Sequence, residues 1–328
     1  MQTRKFGGDA ATVSEVGLGC WQLGGDQWGD VSDADALAIL HAAADAGTTF
    51  LDTADVYGAG RSEELVGRFL KERKGDFFVA TKLGRFPRPG LPENCTPANI
   101  RAHTEASLKR LGVEALDLTQ LHCVPLDILE RGEVFEVLRR LKQEGKIRRF
   151  GASVESTAEA KVCLAQPGLA SLQVIFNVFR QTPITSFFPE CRQKGVAVIV
   201  RLPLASGLLA GKYTPGTTFA ANDHRTFNRN GEAFNVGETF AGLGFEKGLE
   251  VTEKLRPLVP AGLTMAQFAL RWCLDFPEVA TIIPGARNPA QAKGNAAASD
   301  VPPLSAELHA RLQDFFAADV KPLVRGPD

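Results

Sequence analysis

The chain has 328 residues, long enough for two ordinary domains or one large α/β barrel. Its 37 Lys and Arg are offset by 38 Asp and Glu, mixed along the chain, so no basic stripe argues for nucleic acid or an anionic membrane surface. No run of 18 apolar residues occurs and no apolar h-region follows Met1, which points away from membrane and secreted classes and makes the cytoplasm the expected location. The six cysteines (Cys20, Cys95, Cys123, Cys163, Cys191, Cys273) are scattered, with no Cys-x-x-Cys pair and no zinc spacing. No metal site is expected, and most of these thiols read as small buried hydrophobes.

Apolar, β-branched runs alternate with helical patterns along the chain. Strands are predicted at 16–20, 48–52, 77–82, 115–122, 148–153, 171–176, 196–201 and 279–283. Ser32 and Asp33 cap a helix that Gly47 closes. A second helix covers 61–72. Thr96-Pro97 opens a third, ending at Leu111-Gly112, with proline at the first helical position. One helix is predicted over 127–144, with the basic cluster 146–149 after it as a solvated loop. Later helices are expected near 248–258, 264–276 and 305–316.

Eight near-continuous apolar strands, each followed by a helix, describe a closed parallel (β/α)8 TIM barrel. The strand ends at 52, 82, 122 and 153 are spaced by roughly the length of one βα repeat. A doubly wound open sheet is the rival, but Gly17-Leu18-Gly19 lacks the third glycine of a dinucleotide fingerprint. Residues 1–15 read as a short polar β-hairpin capping the barrel floor. Residues 213–245, a long loop after strand 7, read as a lid over the top face. One domain over 1–328 is expected.

Tyrosine is scarce here, 2 residues against 21 phenylalanines, so Tyr57 suggests a position where the hydroxyl is used. It follows a strand ending in Asp52, and two further strands end in Lys82 and His122. In a barrel these strand ends converge on one mouth. An ammonium beside a phenol favours the phenolate and lowers its pKa, and a carboxylate holds that ammonium charged. A histidine can polarise the substrate oxygen. The set suits carbonyl reduction, with hydride to carbon and proton to oxygen. A structural Asp52–Lys82 ion pair and a core His122 are the bland alternatives.

Several stretches, in order and at suitable spacing over residues 1 to about 298, resemble the aldo-keto reductases. They are Leu51-Asp52-Thr53-Ala54-Asp55-Val56-Tyr57-Gly58, Gly60-Arg61-Ser62-Glu63-Glu64-Leu65-Val66-Gly67, Ala80-Thr81-Lys82, Leu121-His122, Gly151-Ala152-Ser153 and the run from Pro203 to Tyr213. The resemblance implies a barrel that binds a nicotinamide cofactor, NADP(H) or NAD(H), and acts on a small-molecule carbonyl or alcohol. It implies Tyr57 as general acid, Lys82 and Asp52 as its tuning pair and His122 as the substrate-orienting group.

The same resemblance assigns Ser153 and Gln173 to the nicotinamide carboxamide, although Val154 stands where many relatives have asparagine. Arg201 stands where relatives stack an aromatic ring. A guanidinium there can stack, or pair with a phosphate or a substrate carboxylate. Leu204, Ser206, Gly207, Leu209 and Lys212 resemble the loop over the pyrophosphate. Ile283, Gly285, Arg287, Gln291 and Asn295 resemble the adenosine end, with Arg287 facing the 2′-phosphate and Asn288 capping a helix. NADPH is the expected preference.

Trp21, Trp28 and Phe86 either wall the substrate pocket or pack, and His224 in the lid either touches ligand or does not. Cys123 replaces a tryptophan of many relatives and can widen the pocket. Two rival functions are a nicotinamide-binding regulatory subunit with little turnover, and a barrel aldolase or isomerase using Lys82 as a Schiff base. The second needs a lysine without a carboxylate partner, and Asp52 argues against it.

Overall fold

The computed structural model describes residues 1–327. An antiparallel hairpin, β1 (Thr3–Lys5) and β2 (Thr12–Ser14), precedes eight parallel strands in consecutive order. These are β3 (Leu18–Gly19), β4 (Phe50–Asp52), β5 (Phe78–Leu83), β6 (Leu118–His122), β7 (Phe150–Ser153), β8 (Leu169–Ile175), β9 (Ala197–Arg201) and β10 (Val279–Ile282). Parallel bridges Val16↔Ile282 and Gly19↔Gly285 join the last strand to the first and close the barrel. That closure removes the open-sheet alternative.

Side chains alternate along each strand, so i and i+2 share the barrel interior. In β5 the inward series is Phe78, Ala80 and Lys82, and in β9 it is Ala197, Ile199 and Arg201. The lower layers are apolar: Phe50, Phe78, Leu118 and Ile199 form one buried cluster. The upper layer carries Asp52, Lys82, Gln120 and Gln173, joined by hydrogen bonds at the carboxyl ends of their strands. A separate, larger apolar cluster packs the outer strand faces against the helices.

Several expectations need correction. The hairpin is not simply polar: Phe6 and Val13 are buried, and the Phe6 ring lies 4.9 Å from Phe78 and 6.2 Å from Phe50, plugging the barrel floor. The predicted helix 127–144 is two, Leu126–Arg131 and Glu133–Gln143. Gly132, at φ 77°, adopts the left-handed conformation that ends the first. The basic cluster is not all solvated, since Arg149 pairs with Asp9 through bonds of 2.7 and 2.8 Å. Ile147 within it is buried.

The loop after β9 lies over the barrel mouth. Its residue Asp223 forms an antiparallel bridge with Trp28 from the segment after β3. The His224 N–H donates to the Gln27 carbonyl at 2.9 Å, so the two segments are clasped across the top. Among the described residues no helix is long and apolar enough to cross a membrane.

Candidate active site

Asp52, Lys82 and His122 occupy the carboxyl ends of β4, β5 and β6. Tyr57 stands on the turn after β4. Four motif residues make the hydrogen bonds around that turn. Ser62 donates to the Cys20 carbonyl at 2.8 Å, and Thr53 donates to Ser62 at 2.9 Å. Arg61 donates to the carbonyls of Leu23 and Val31, each at 2.8 Å. Glu63 is buried between Thr81 and Arg110. The conspicuous Gly-Arg-Ser-Glu run thus ties the start of the helix after Tyr57 to the segment after β3 and to β5.

The Lys82 ammonium is fully buried, and its three N–H groups are all placed. One goes to the Asp52 carboxylate, one to the Thr53 carbonyl at 2.8 Å and one to the Tyr57 hydroxyl oxygen at 3.2 Å. The Asp52 carboxylate also accepts from Gln173 at 2.7 Å and from Gln120 at 3.3 Å. Burial pulls the ammonium's pKa down, but Asp52 and Tyr57 outweigh it and hold Lys82 above the ordinary lysine value.

Tyr57 departs from the expected depression. Burial pushes its phenol above the ordinary value, and Lys82 only partly pulls it back. The reason is that a phenolate buried here would lose more hydration than one ammonium, already shared with Asp52, restores. His122 is shifted the other way, well below 6.5, by burial and then by the charges of Arg85, Lys82 and Arg201. Its ring is neutral at neutral pH. Its Nδ1 is buried with no hydrogen-bond partner.

Tyr57, His122 and Asp52 line a cavity of about 950 Å³. Trp21, Trp28 and Phe86 line it too, so all three predicted aromatics are wall residues. Trp21 stacks on Tyr57 at 5.8 Å between ring centres. Cys123 is not on the wall. It sits behind His122 at φ 51°, with its sulfur 3.7 Å from both Arg85 and Arg201. Lys82 also lies behind the wall, reaching the cavity through Tyr57.

The cavity continues from the tetrad past Gln173, Arg201, Leu204, Ser206, Gly207 and Lys212 to Ile283, Gly285, Arg287, Gln291 and Asn295. Two predicted cofactor residues lie off this wall. Leu209 is buried in the core, and the Ser153 hydroxyl faces the Cys123 sulfur at 3.9 Å. Ser206 lines the cavity, yet its hydroxyl donates to the Glu238 carbonyl and accepts from the Phe240 N–H, both at 3.1 Å, tying it to the long loop. Ala205, Ser206 and Gly207 follow one another at φ 48°, 55° and 98°. Two successive non-glycine residues in the left-handed region are costly, and such strain clusters where a backbone serves a ligand.

These features fit an extended nicotinamide dinucleotide. Gln173 directs its amino group to Asp52 and Gln120, which leaves its carbonyl oxygen for a carboxamide. At the far end, Asn288 caps the helix Pro289–Ala296 by accepting from the Gln291 N–H at 2.9 Å, and exposed Arg287 stands just before that helix N-terminus.

Sequence reasoning missed Arg85, Gln120 and Glu238. Gln120 was visible as a polar residue on an inward position of an apolar strand, and Arg85 as a charge just past the end of β5. Glu238 had no local signal, because it arrives from the long loop. His224, left open from sequence, is fully buried and packs 4.3 Å from Trp28 and 5.0 Å from Trp21. Its pKa is lowered to about 4, chiefly by burial.

A model of the Aldo/keto reductase family matches residues 15–316. The chain is similar to an aldo-keto reductase [NADP(+)] of Schizosaccharomyces pombe, 30% identical over 298 residues, covering 87% of this chain and 83% of that protein. It is equally similar to an NADH-specific methylglyoxal reductase of Escherichia coli, 30% identical over 311 residues, 88% of this chain and 91% of that one. Among solved structures, a glycerol dehydrogenase of Gluconobacter oxydans superimposes with a TM-score of 0.78 at 33% identity, covering 97% and 96% of the two chains. The family motifs, the closed barrel and the cavity agree, and this chain belongs to the aldo-keto reductases, oxidoreductases that use NAD(P)H on small-molecule carbonyl compounds.

Proposed function

We propose that the protein is an NADPH-preferring, cytoplasmic reductase of aldehydes or ketones in which Tyr57 is the proton donor. The observation that carries this reading is the placement of the Lys82 ammonium between Asp52 and the Tyr57 oxygen. Because Lys82 donates to that oxygen, the phenol's own hydrogen is left to point into the cavity. When bound, the nicotinamide supplies hydride to the carbonyl carbon.

His122 orients the carbonyl oxygen. With its ring neutral and Nδ1 buried without a partner, the proton belongs on Nε2, since an orphaned buried N–H is rarer than an orphaned acceptor. Nε2–H then donates to the substrate oxygen, and Tyr57 delivers its proton to the same oxygen as negative charge develops. Lys82 stabilises the phenolate left behind. Trp21, Trp28 and Phe86 exclude water from the reacting centre. Gln173, the 204–207 turn and the Arg287–Asn288 helix start would hold the cofactor.

Replacing Tyr57 with Phe removes the acid and keeps the ring. Reduction of a simple aldehyde, read at the nicotinamide absorbance, is expected to fall at least about 100-fold, the range for a positioned acid. Undiminished turnover would place the acid elsewhere. The pH profile adds a second check. Tyr57, raised by burial, keeps its proton at neutral pH and loses it only on an alkaline limb, so reduction declines there while alcohol oxidation rises. His122, lowered well below 6.5, gives no inflection near 6.5. An inflection there that disappears in His122→Asn would refute the neutral-ring assignment.

A further inference from the structure

Beside the tetrad lies a second charged group that the proton-transfer scheme does not use. Arg85, just past the end of β5, and Arg201, at the end of β9, converge on one carboxylate oxygen of Glu238. Arg85 donates a hydrogen bond to it at 2.9 Å, and Arg201 forms an ion pair with it at an N···O distance of 3.1 Å. All three residues line the cavity that holds Tyr57 and His122. Glu238 is nearly fully buried, and it belongs to the long loop, not to the barrel.

The guanidiniums are only partly satisfied. Arg85 places Nη1 on Glu238 and on the Cys123 sulfur and lies 5.4 Å from the centre of the Phe234 ring, and among the described residues no hydrogen-bond acceptor engages its Nη2 or Nε. Arg201 donates Nη2 to the Val154 carbonyl at 3.2 Å, while its buried Nε has no partner. Charge is also in excess. Two guanidiniums face Glu238, and a second carboxyl beside it, Glu155, is raised above its ordinary value by burial and by Glu238, toward its neutral form. Lys82 and Asp52 cancel each other, and His122 is neutral. The cavity wall next to His122 is therefore electropositive, with unused N–H donors. The Cys123 sulfur and oxygens of Glu155 and Glu238 cluster within 4.8 Å, but two guanidiniums already face that cluster, which argues against a metal cation there.

We propose, on the reading of this cavity as a carbonyl-reducing site, that Arg85 and Arg201 form a subsite for a carboxylate carried by the substrate, and that Glu238 occupies it in the ligand-free enzyme. A substrate carboxylate would take the unused donors and displace Glu238, drawing the base of the loop with it. Specificity then rests on a competition between an internal and an external carboxylate for the same pair of guanidiniums.

The test uses two aldehydes of one shape, 4-formylbenzoate and 4-nitrobenzaldehyde, with saturating NADPH. The quantity read is the ratio of their kcat/KM values, charged over neutral. Arg85→Met is expected to lower this ratio at least 10-fold, with Arg85→Lys recovering part of it. Glu238→Gln, which removes the internal competitor's charge, is expected to raise the ratio several-fold. A ratio indifferent to all three substitutions would overturn the proposal. If the wild-type protein reduces neither aldehyde, the reductase reading fails, and the subsite is judged by binding alone. Benzoate and benzamide are then titrated against the intrinsic tryptophan fluorescence, to which Trp21 and Trp28 of the cavity wall contribute beside the distant Trp272. Tighter, salt-sensitive binding of benzoate that weakens in Arg85→Met supports the subsite, and equal binding of the two ligands sinks it.

Discussion

The tetrad and the long loop meet over one cavity but are positioned by different means. Asp52, Lys82 and His122 stand on three adjacent parallel strands, where the alternation of the ladder fixes their direction and spacing. The hydrogen bonds of Asp52 and Lys82 are buried, mutually satisfied and local to the barrel top, and His122 packs edge-on against Tyr57. Loop residues 213–245 have no ladder. They are held by a few long-range devices: the Trp28–Asp223 bridge, the Ser206 hydroxyl, and Arg225, which pairs with Asp223, lies 4.8 Å from the Trp28 ring and donates to Tyr213 at 2.6 Å. A constellation on rigid strands can hold the geometry of proton transfer, while one on a clasped loop can change partners. Glu238 is the point where the two kinds of construction touch.

The sharpest way to break this contrast is Lys82→Met. On the strand side, removal of one partner leaves Asp52 buried without its countercharge, a loss expected to cost about 3–5 kcal/mol in stability. The folded-state pKa of Lys82 is raised, so its stabilisation is complete below the ordinary lysine pKa and is lost as pH climbs through the folded value. The variant should be markedly less stable in urea at neutral pH, and its alkaline limb in reduction should move. That limb belongs to the Tyr57–Lys82 unit as a whole. Stability within about 1 kcal/mol of wild type would show that the pair is replaceable and the strand-end geometry less constrained than its hydrogen bonds imply.

The same contrast explains what was legible in the sequence. The convergence of Asp52, Lys82 and His122 on the barrel mouth could be read because period-2 alternation and strand endings are local signals: each of the three closes an apolar run. The barrel followed from repetition of that pattern. Illegible features depend on distant chain segments. Phe6 plugs the floor only because the hairpin folds under the barrel, and Arg149 is paired only because Asp9 arrives from that hairpin. The raised phenol of Tyr57 depends on how far the roof excludes water, which no spacing encodes. In the loop, Arg225 and Arg229 look equivalent in sequence, flanking Phe227. The structure makes Arg225 a buried internal clamp, and leaves Arg229 partly exposed on Glu246.

A smaller effect is expected at the far end of the cavity. Arg287 is exposed and stands at the start of a capped helix, where backbone N–H groups and a guanidinium can meet one phosphate. Arg287→Ala should weaken NADPH by about 1.5–3 kcal/mol, the worth of a charge-assisted contact, and NADH much less. Titrating both cofactors against both proteins checks this. Equal losses would move Arg287 to the pyrophosphate or to a structural role, and no loss for either would leave it a solvated residue.

The smallest expected effect lies in the loop. A freely hinged lid would show cofactor-dependent protection of backbone amides along all of 213–245. Here, however, Asp223, His224, Arg225, Asn228 and the stretch 237–243 are buried by the protein's own residues, and Phe219, Phe240 and Phe245 pack together at ring distances of 5.2 to 5.9 Å. Of the rest, 214–222 is largely open to water and 229–236 partly so. Hydrogen exchange with and without saturating NADPH should therefore differ in those two stretches and hardly at 237–243, since amides already removed from water gain little further protection. A 4-formylbenzoate complex is expected to do the opposite at one place, loosening the amides around Glu238 as its carboxylate leaves the arginines. Uniform protection of the whole loop by cofactor would mean that the clasp is open in solution and that loop and barrel behave as two separate bodies until ligand joins them.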